Sequence, residues 1–209
     1  MYTNLKMTKP KLKIGSSIAI VGSSANLKRN NFSQEIDKHD EVIRFNRAPV
    51  KGFEEYVGNI TTLRVVNNHV FDNIDITNKG FSNQPKNFVK DLRNEKILYI
   101  GPDINPWKRR KSNTHNSNRL YLFDYSKISN LKEIFGIKSQ NNLQIGTIVI
   151  SLCILSGLKP KLYGFDLEPI PRTHYFEDRP SNIKDSMHTI EQEMQLLVNF
   201  KKKGLILTS

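Results

Sequence analysis

The segment "SIAIVGSSANLKRNNFSQEIDKHDEVIRFN", residues 17–46, contains the unit from which we predict the fold. A short apolar run at 17–22 closes at Gly22, residues 31–39 can form a short helix, and a second apolar run follows at 41–46. Short apolar runs bounded by glycine or polar residues are typical of buried parallel strands. The segment therefore predicts a strand–helix–strand unit of a parallel sheet.

The same alternation continues to the end of the chain. We predict further strands at 61–66, 96–101, 161–166 and 205–209, with "RLYLFD" at 119–124 also allowing one, and helices at 83–94, 146–157 and 188–204. Strands that alternate with helices form a mostly parallel sheet covered by helices on both faces. The prediction is one Rossmann-like α/β domain at 17–209, preceded by a basic segment at 1–16.

The charge of the chain favours an anionic ligand. Lys and Arg total 32 against 20 Asp and Glu, which gives a net charge of +12. This excess suits nucleotides, nucleic acids, acidic glycans or an anionic membrane surface, and it does not choose among them. The single cysteine, Cys153, excludes an internal disulfide and fits a reducing compartment. Its apolar neighbours predict a small buried side chain.

No segment of the sequence looks like a signal or a membrane span. The N-terminus, "MYTNLKMTKPKLKIGSS", lacks an apolar core, and the most hydrophobic segment, 146–155, is far shorter than the roughly 20 apolar residues that a span needs. We expect a soluble, cytoplasmic protein that contacts a membrane at most peripherally.

Three predicted strands end in glycine or small polar residues, where ligands bind in such sheets. These ends read "VGSSANL", "RFNRAP" and "YGFD". Asn46, in the second, has a side-chain amide that can both donate to and accept from a ligand. The other interpretation of Asn46 is a turn residue that bonds its own backbone, as asparagine often does. Spacing alone leaves both open.

Four segments carry short patterns in a fixed order. Residues 18–66 contain I-D-x-H-D, R-x-N-x-A-P, G-F-E and V-G-x-x-T-T, and residues 143–166 end in "LYGFD". "HYFED" occupies 174–178, and "HTIEQE" begins at His188. Together they resemble the long, short, third and last motifs of the eukaryotic-type sialyltransferases, glycosyltransferase family 29.

The resemblance implies a GT-A-like variant fold and an inverting transfer from a CMP-activated sialic acid to a hydroxyl of a glycan or glycolipid. It implies no cofactor and no metal, with His188 as the catalytic base and His174 holding the phosphate. The donor-binding residues it implies are, besides His174, Gly22, Ser23, Ser24, Asn26, Asn46, Gly146, Thr147, Gly164, Phe165 and Asp166. Residues 67–142 match no motif and are the predicted acceptor region.

The chemistry of these residue types fits such a reaction. A leaving nucleoside monophosphate can be stabilised by histidine and backbone N–H groups, and an acceptor hydroxyl suits a base that titrates near neutrality. Thr189 and Gln192 have capping-box spacing, which predicts that the last helix starts there and that His188 precedes it. Glu193, about 140° around a helix from His188, need not touch it and can be structural. His39 is predicted to be structural; His69 and His115 have no assigned role.

The chain departs from the family pattern in three places. The turn is Gly-Ser-Ser-Ala-Asn at 22–26 where the family reads G-N-S-G-N, so one nucleotide-binding amide is lost. The short motif opens Leu-Gln-Ile-Gly-Thr at 143–147 in place of proline, a hydroxyl pair and glycine, so the donor sugar can be another ulosonic acid such as Kdo. The family's bridging cysteines and membrane anchor have no counterpart, which suggests a microbial or viral relative.

Two other functions remain open from the sequence. Basic runs at 9–13, 108–111 and 201–203, with Trp107 available for stacking, allow a nucleic-acid-binding protein, although charge runs are more often solvated faces and specific nucleic-acid binding is not expected. The altered turn and short motif allow an inactive relative that still binds CMP. The basic runs could also seat an enzyme on anionic acceptor lipids.

Overall fold

The computed structural model describes residues 16–71, 95–101, 120–124, 127–138, 142–168, 174–176 and 187–209. At residues 69, 120, 124 and 187–189 the description is confined to the backbone. The predicted helix at 83–94, the basic segment up to residue 15, His115 and most of the predicted acceptor region lie outside these ranges.

Seven strands form one sheet in which every neighbouring pair is parallel. They are β1 (Ile18–Val21), β2 (Glu41–Phe45), β3 (Leu63–Asn67), β4 (Lys96–Gly101), β5 (Leu120–Asp124), β6 (Lys161–Tyr163) and β7 (Leu207–Thr208). Their order across the sheet is β5-β4-β3-β2-β1-β6-β7. The strand order reverses at β1, because the chain runs outward from it to β5 and then returns to its other side as β6. Such a reversal is where open α/β sheets bind ligands.

Six α-helices and one 3₁₀ turn (Ala25–Arg29) connect the described strands. The helices are α1 (Ser33–Asp37), α2 (Glu54–Val57), α3 (Asn68–Phe71), α4 (Ile128–Phe135), α5 (Ile145–Leu155) and α6 (Met187–Lys202). The second, third and fourth were not predicted from the sequence. Two of these are single turns, which are too short to leave a periodic pattern.

Both faces of the sheet are buried, as the near-continuous apolar strands predict. On β1, Ile18 and Ile20 pack with residues of α4, α5 and α6, while Ala19 and Val21 pack with Leu27 and residues of α1 and α2 on the opposite face. All four β1 residues are at most 2% exposed. The predicted doubly covered parallel sheet is confirmed.

Several predicted boundaries shift. The strand predicted at 161–166 ends at Tyr163 because Gly164 takes a φ of +67°, a left-handed conformation that turns the chain out of the sheet. Helix α6 begins at Met187, so the prediction that His188 precedes the helix is wrong: His188 lies inside its first described turn. The Thr189–Gln192 spacing therefore does not mark the start of the helix.

Candidate active site

The turn after β1 packs directly against the end of β6. The amide of Gly22 donates to the Tyr163 carbonyl at 2.7 Å, and the amide of Ser24 donates to the Gly164 carbonyl at 3.2 Å. A Cβ atom on Gly22 would lie 2.4 Å from that Gly164 carbonyl oxygen. Glycine is therefore required at position 22 for the two loops to meet.

Side chains then join the same two loops. Oδ1 of Asp166 accepts hydrogen bonds from the hydroxyl of Ser24 at 2.6 Å and from Nδ2 of Asn26 at 3.0 Å. The Ser24 hydroxyl also accepts from the backbone N–H of Asn26 at 3.2 Å, and this bond caps the 3₁₀ turn. Asp166 thus holds the turn after β1 in place with its carboxylate.

The segment around His174 lies across this turn. Ser24 and His174 form an isolated antiparallel bridge, and the Tyr175 amide donates to the Ser23 carbonyl at 2.9 Å. The Ser23 hydroxyl lies 2.7 Å from Nδ1 of His174. The imidazole stacks on Phe176, with ring centroids 5.2 Å apart and an angle of 8° between the planes. Backbone, hydroxyl and ring contacts together fix this histidine.

Tyr175 fixes the segment around His174 to the loop after β2. Its hydroxyl donates to the Pro49 carbonyl, and its ring packs edge-on against Phe53 with centroids 5.1 Å apart. Burial raises the pKa of the Tyr175 phenol to about 12. The neutral phenol is therefore a fixed structural donor, and it connects the His174 segment to the loop after β2.

The opposite wall of the site is the N-terminus of α5, which Glu193 of α6 caps. The Gln144 side chain makes no capping bond, but both Glu193 oxygens accept from the Gln144 amide, at 3.2 and 3.1 Å. The Thr147 hydroxyl donates to the same carboxylate. Glu193 is 3% exposed. In a capping box, a Glu or Gln in the first turn of the same helix accepts a hydrogen bond from the N-cap amide. Here Glu193, which belongs to a different helix, accepts that bond.

These contacts give Glu193 and Thr147 defined positions in the site. The suggestion that Glu193 can be structural agrees with its burial and its bonds to α5. Thr147, a predicted donor-binding residue, is 4% exposed and directs its hydroxyl to Glu193. A contact between this hydroxyl and a ligand would have to compete with the carboxylate.

A cleft opens between these loops and helices. It is lined by Ser23, Ser24, Gln144, Gly146, Thr147, Gly164, Phe165, Asp166, His174, Glu193, Met194 and Leu197. Eight of the predicted donor-binding residues are in this lining, and they come from the long, short and third motifs. The structure thus brings together segments that lie more than 150 residues apart, as the Ser23–His174 contact shows.

Gly22, Asn26 and Asn46 do not line the cleft. The first two support its floor through the contacts given above. Asn46 stands at the end of β2 with a φ of +44°, a conformation that asparagine tolerates better than most residues. Its amide N–H donates to Val65 at 2.7 Å, and its Oδ1 accepts from the Asn67 amide at 3.1 Å. Its Nδ2 group has no acceptor among the described residues, so the side chain is partly structural and retains the two N–H donors of that group.

Several motif residues form the scaffold beneath the cleft. The carboxylate of Asp37 accepts from the amides of Asn59 and Ile60 at 2.8–3.0 Å. Arg44, 1% exposed, donates to the carbonyls of Val57 and Ile60. Burial lowers the Arg44 pKa to about 10. The I-D-x-H-D and V-G-x-x-T-T pieces thus bind each other, which sequence patterns alone could not reveal.

The remaining predicted residues are placed as follows. Nδ1 of His39 lies 2.9 Å from the Glu35 carbonyl, and its ring packs edge-on against Tyr163, in agreement with a structural role. Cys153 is 2% exposed, and burial raises its pKa to about 12, which confirms the predicted buried thiol. The side chains of His69 and His188 lie outside the description.

Comparisons with known proteins agree with this architecture. The model of glycosyltransferase family 29 (sialyltransferase) matches residues 3–205. A beta-galactoside alpha-2,6-sialyltransferase 2 from Takifugu rubripes is 29% identical over 143 residues, 61% of this chain and 25% of the relative. The human beta-galactoside alpha-2,6-sialyltransferase 1 is 40% identical over 83 residues, 39% of this chain and 18% of the relative. The chain thus spans a quarter or less of the curated relatives that it matches.

Solved structures show the same fold at lower identity. A mammalian sialyltransferase in complex with Gal-beta-1-3GalNAc-ortho-nitrophenol superposes with a TM-score of 0.64 at 17% identity, over 92% of this chain and 68% of that one. A monofunctional alpha-2,3-sialyltransferase from Campylobacter jejuni gives 0.56 at 18% identity, over 96% and 78%. In the part of the chain that the structure describes, no helix is long and apolar enough to cross a membrane. The family match covers nearly the whole sequence, and the chain belongs to glycosyltransferase family 29, the sialyltransferases.

Proposed function

We propose that this chain binds a CMP-activated acidic sugar in the cleft and transfers the sugar, with inversion, to a hydroxyl group of a glycan. The observation that carries the proposal is the convergence of the turn after β1, the end of β6 and the His174 segment on one cleft at the carboxyl ends of the strands. Family membership gives the reaction class. The relatives that it matches include beta-galactoside alpha-2,6-sialyltransferases.

The nucleotide phosphate would lie between His174 and the backbone of the turn at 22–24. A histidine held in one orientation can donate to a phosphate oxygen in the bound donor and in the transition state, without waiting for reorganisation. The Nδ2 group of Asn46 would contact the nucleotide from the neighbouring strand end. The leaving group would then lie at the point where the strand order reverses.

The leaving group would be stabilised without a metal ion. The two described carboxylates in the cleft, Asp166 and Glu193, already accept hydrogen bonds from protein donors. A nucleoside monophosphate also carries less charge than the diphosphate of a UDP-sugar. We expect EDTA to leave transfer unchanged, and a requirement for added Mn²⁺ would contradict this part of the proposal.

His188 would act as the general base. It lies in the first described turn of α6, five residues before Glu193, whose bonds to α5 fix that helix beside the cleft. The positive end of a helix dipole favours a neutral imidazole, which is the form that can accept a proton from the acceptor hydroxyl. The predicted base therefore belongs to the helix that forms one wall of the cleft.

The donor sugar would be sialic acid or a related ulosonic acid such as Kdo. The Thr147 hydroxyl, which could otherwise bind a sugar carboxylate, donates to Glu193, and so does the amide of Gln144, the N-cap residue before α5. The carboxylate of the sugar would then bind through other donors of the cleft. Lys201, Lys202 and Lys203 are exposed at the other end of α6 and could seat the protein near acidic lipids that carry the acceptor.

A donor panel tests the proposal. Titration calorimetry with CMP, CMP-sialic acid, CMP-Kdo, UDP-glucose and a GDP-sugar should show binding of the CMP compounds only. Equal affinity for UDP-glucose would overturn the assignment. Binding of CMP compounds without release of CMP in the presence of glycan acceptors would instead identify an inactive relative. A steep salt dependence of oligonucleotide binding that CMP does not compete would indicate a nucleic-acid-binding protein.

The two histidines separate binding from catalysis. His188→Ala should lower the transfer rate by about 10²–10⁴-fold, the usual effect of removing a general base, while CMP affinity changes little. His174→Ala should weaken CMP binding and also slow transfer, since its contact exists before and during the reaction. Near-normal transfer by a folded His188→Ala protein would mean that the base is elsewhere.

A further inference from the structure

The hydroxyl of Ser23 lies 2.7 Å from Nδ1 of His174, across 151 positions of sequence. The backbone around this contact is also paired, through the Ser24–His174 bridge and the Tyr175 amide, which donates to the Ser23 carbonyl. The imidazole plane is set by its stack on Phe176. The Ser23 hydroxyl contacts the Nδ1 edge of the ring and so turns that edge toward the turn at 22–24.

We propose that Ser23 is a positioning residue that holds the His174 imidazole at Nδ1 and so presents its Nε2 edge to the donor phosphate. A hydroxyl is both a donor and an acceptor. It can donate to Nδ1 of a neutral ring and accept from the Nδ1–H of an imidazolium by rotating its own hydrogen. The same bond therefore persists when the ring changes its protonation state. This inference rests on the proposed function of His174.

The neighbouring serine supports a positioning role over direct ligand contact. The Ser24 hydroxyl donates to Asp166 and so joins the turn to the end of β6. Ser23 likewise joins the turn to the His174 segment. The two consecutive hydroxyls therefore bind the two loops on either side of the turn. In the family pattern, the position of Ser23 is an asparagine that would contact the nucleotide directly. In this chain, Ser23 would instead act on the nucleotide by positioning His174.

A double-mutant cycle distinguishes the two roles. Ser23→Ala should weaken CMP binding about two- to tenfold, as expected for the loss of one neutral hydrogen bond. Ser23→Thr, which retains a hydroxyl, should restore the affinity to within about twofold of the unmutated protein. In a His174→Ala background, Ser23→Ala should cause no further loss. An equal loss in both backgrounds would show that Ser23 contacts the ligand directly and would overturn the proposal.

The ring itself gives a second readout that does not need the ligand. The ¹⁵N chemical shift of His174 Nδ1 at neutral pH should be the same in the unmutated protein and in Ser23→Thr, and it should move in Ser23→Ala, which removes the hydrogen-bond partner of that nitrogen. Ser33→Ala, which removes an exposed hydroxyl bonded to Asn31, is the matched control and should leave the spectrum unchanged. An unchanged His174 spectrum in folded Ser23→Ala would overturn the proposal. If the unmutated protein fails to bind CMP, the proposed function fails, and this spectrum still decides the role of Ser23.

Discussion

Replacement of Glu193 tests how the cleft is built. Its carboxylate lies in the contact between α6 and the N-terminus of α5, and it is 3% exposed. Its described hydrogen bonds come from two donors, the Gln144 amide and the Thr147 hydroxyl. Two substitutions separate charge from shape: Glu193→Gln keeps the side-chain length, while Glu193→Ala removes every acceptor.

The expected magnitudes follow from those two donors. A hydrogen bond to a charged group contributes about 1.5–3 kcal/mol and one between neutral groups about 0.5–1.5 kcal/mol. Glu193→Gln therefore loses about 1 kcal/mol per donor, or about 2 kcal/mol in all. Glu193→Ala leaves two donors unpaired in a buried contact, and it should lower the free energy of unfolding by about 4 kcal/mol.

Urea unfolding measures both values from the shift in midpoint, provided that the slope of the transition is unchanged. Glu191→Ala is the matched control, because Glu191 is exposed on the same helix, and its effect should stay within about 0.5 kcal/mol. If Glu193→Ala is as harmless as the control, or if Glu193→Gln is the more damaging change, the capping role is wrong.

Two further predictions concern the turn after β1 and the buried side chains of Cys153 and Tyr175. Gly22→Ala should destabilise the fold and abolish CMP binding in calorimetry, since its Cβ would lie 2.4 Å from the Gly164 carbonyl oxygen; unchanged binding would show that the two loops do not pack as described. Burial raises the pKa of Cys153 from 9.0, and that of Tyr175 from 10.0, to about 12 in each case. Because the folded protein favours the neutral form of both groups, their contribution to the free energy of unfolding is complete below about pH 9 and is lost as the pH rises toward 12. Denaturant titrations across that range should show a decline of up to about 1.4 kcal/mol per pH unit for each group, and Tyr175→Phe should reduce the slope; an equal slope in the variant would contradict the assignment.

The sheet was predictable because its strands are short, apolar and bounded by glycine or polar residues. The apolar runs that end at or just before Gly22, Asn46 and Gly101 lack the 3.6-residue spacing of a helix. The ends of strands β1 to β4 lie within two residues of their predicted positions. The short helices were not predictable. Helix α2 is one turn whose N-cap residue, Phe53, makes no side-chain capping bond, and a helix this short depends on tertiary contacts for its stability. Helix α4 has only eight residues, about two turns, so its periodic pattern is short.

The site was predictable as a set of segments, although not as a set of contacts. The ordered motifs predicted Ser24, Asp166 and His174 as donor-binding residues, and in the structure all three line one cleft. The sequence does not reveal which motif residues face a ligand and which face each other. Asp37 accepts from amides of the loop before β3. Thr147 turns its hydroxyl to Glu193, because buried donors and acceptors must be paired within the fold. Such pairing depends on which segments meet, and a linear pattern does not contain that information.

The most direct test of the account is to map where CMP binds. Backbone amide resonances of the ¹⁵N-labelled protein should be followed as CMP is added, with UMP as the comparison nucleotide. We predict that the largest shifts fall at Ser23, Ser24, Gly164 and His174, that they saturate, and that they are much weaker with UMP. Saturable shifts centred elsewhere, for instance on Lys201–Lys203, or no shifts with CMP, would contradict the assignment of this cleft as the donor site.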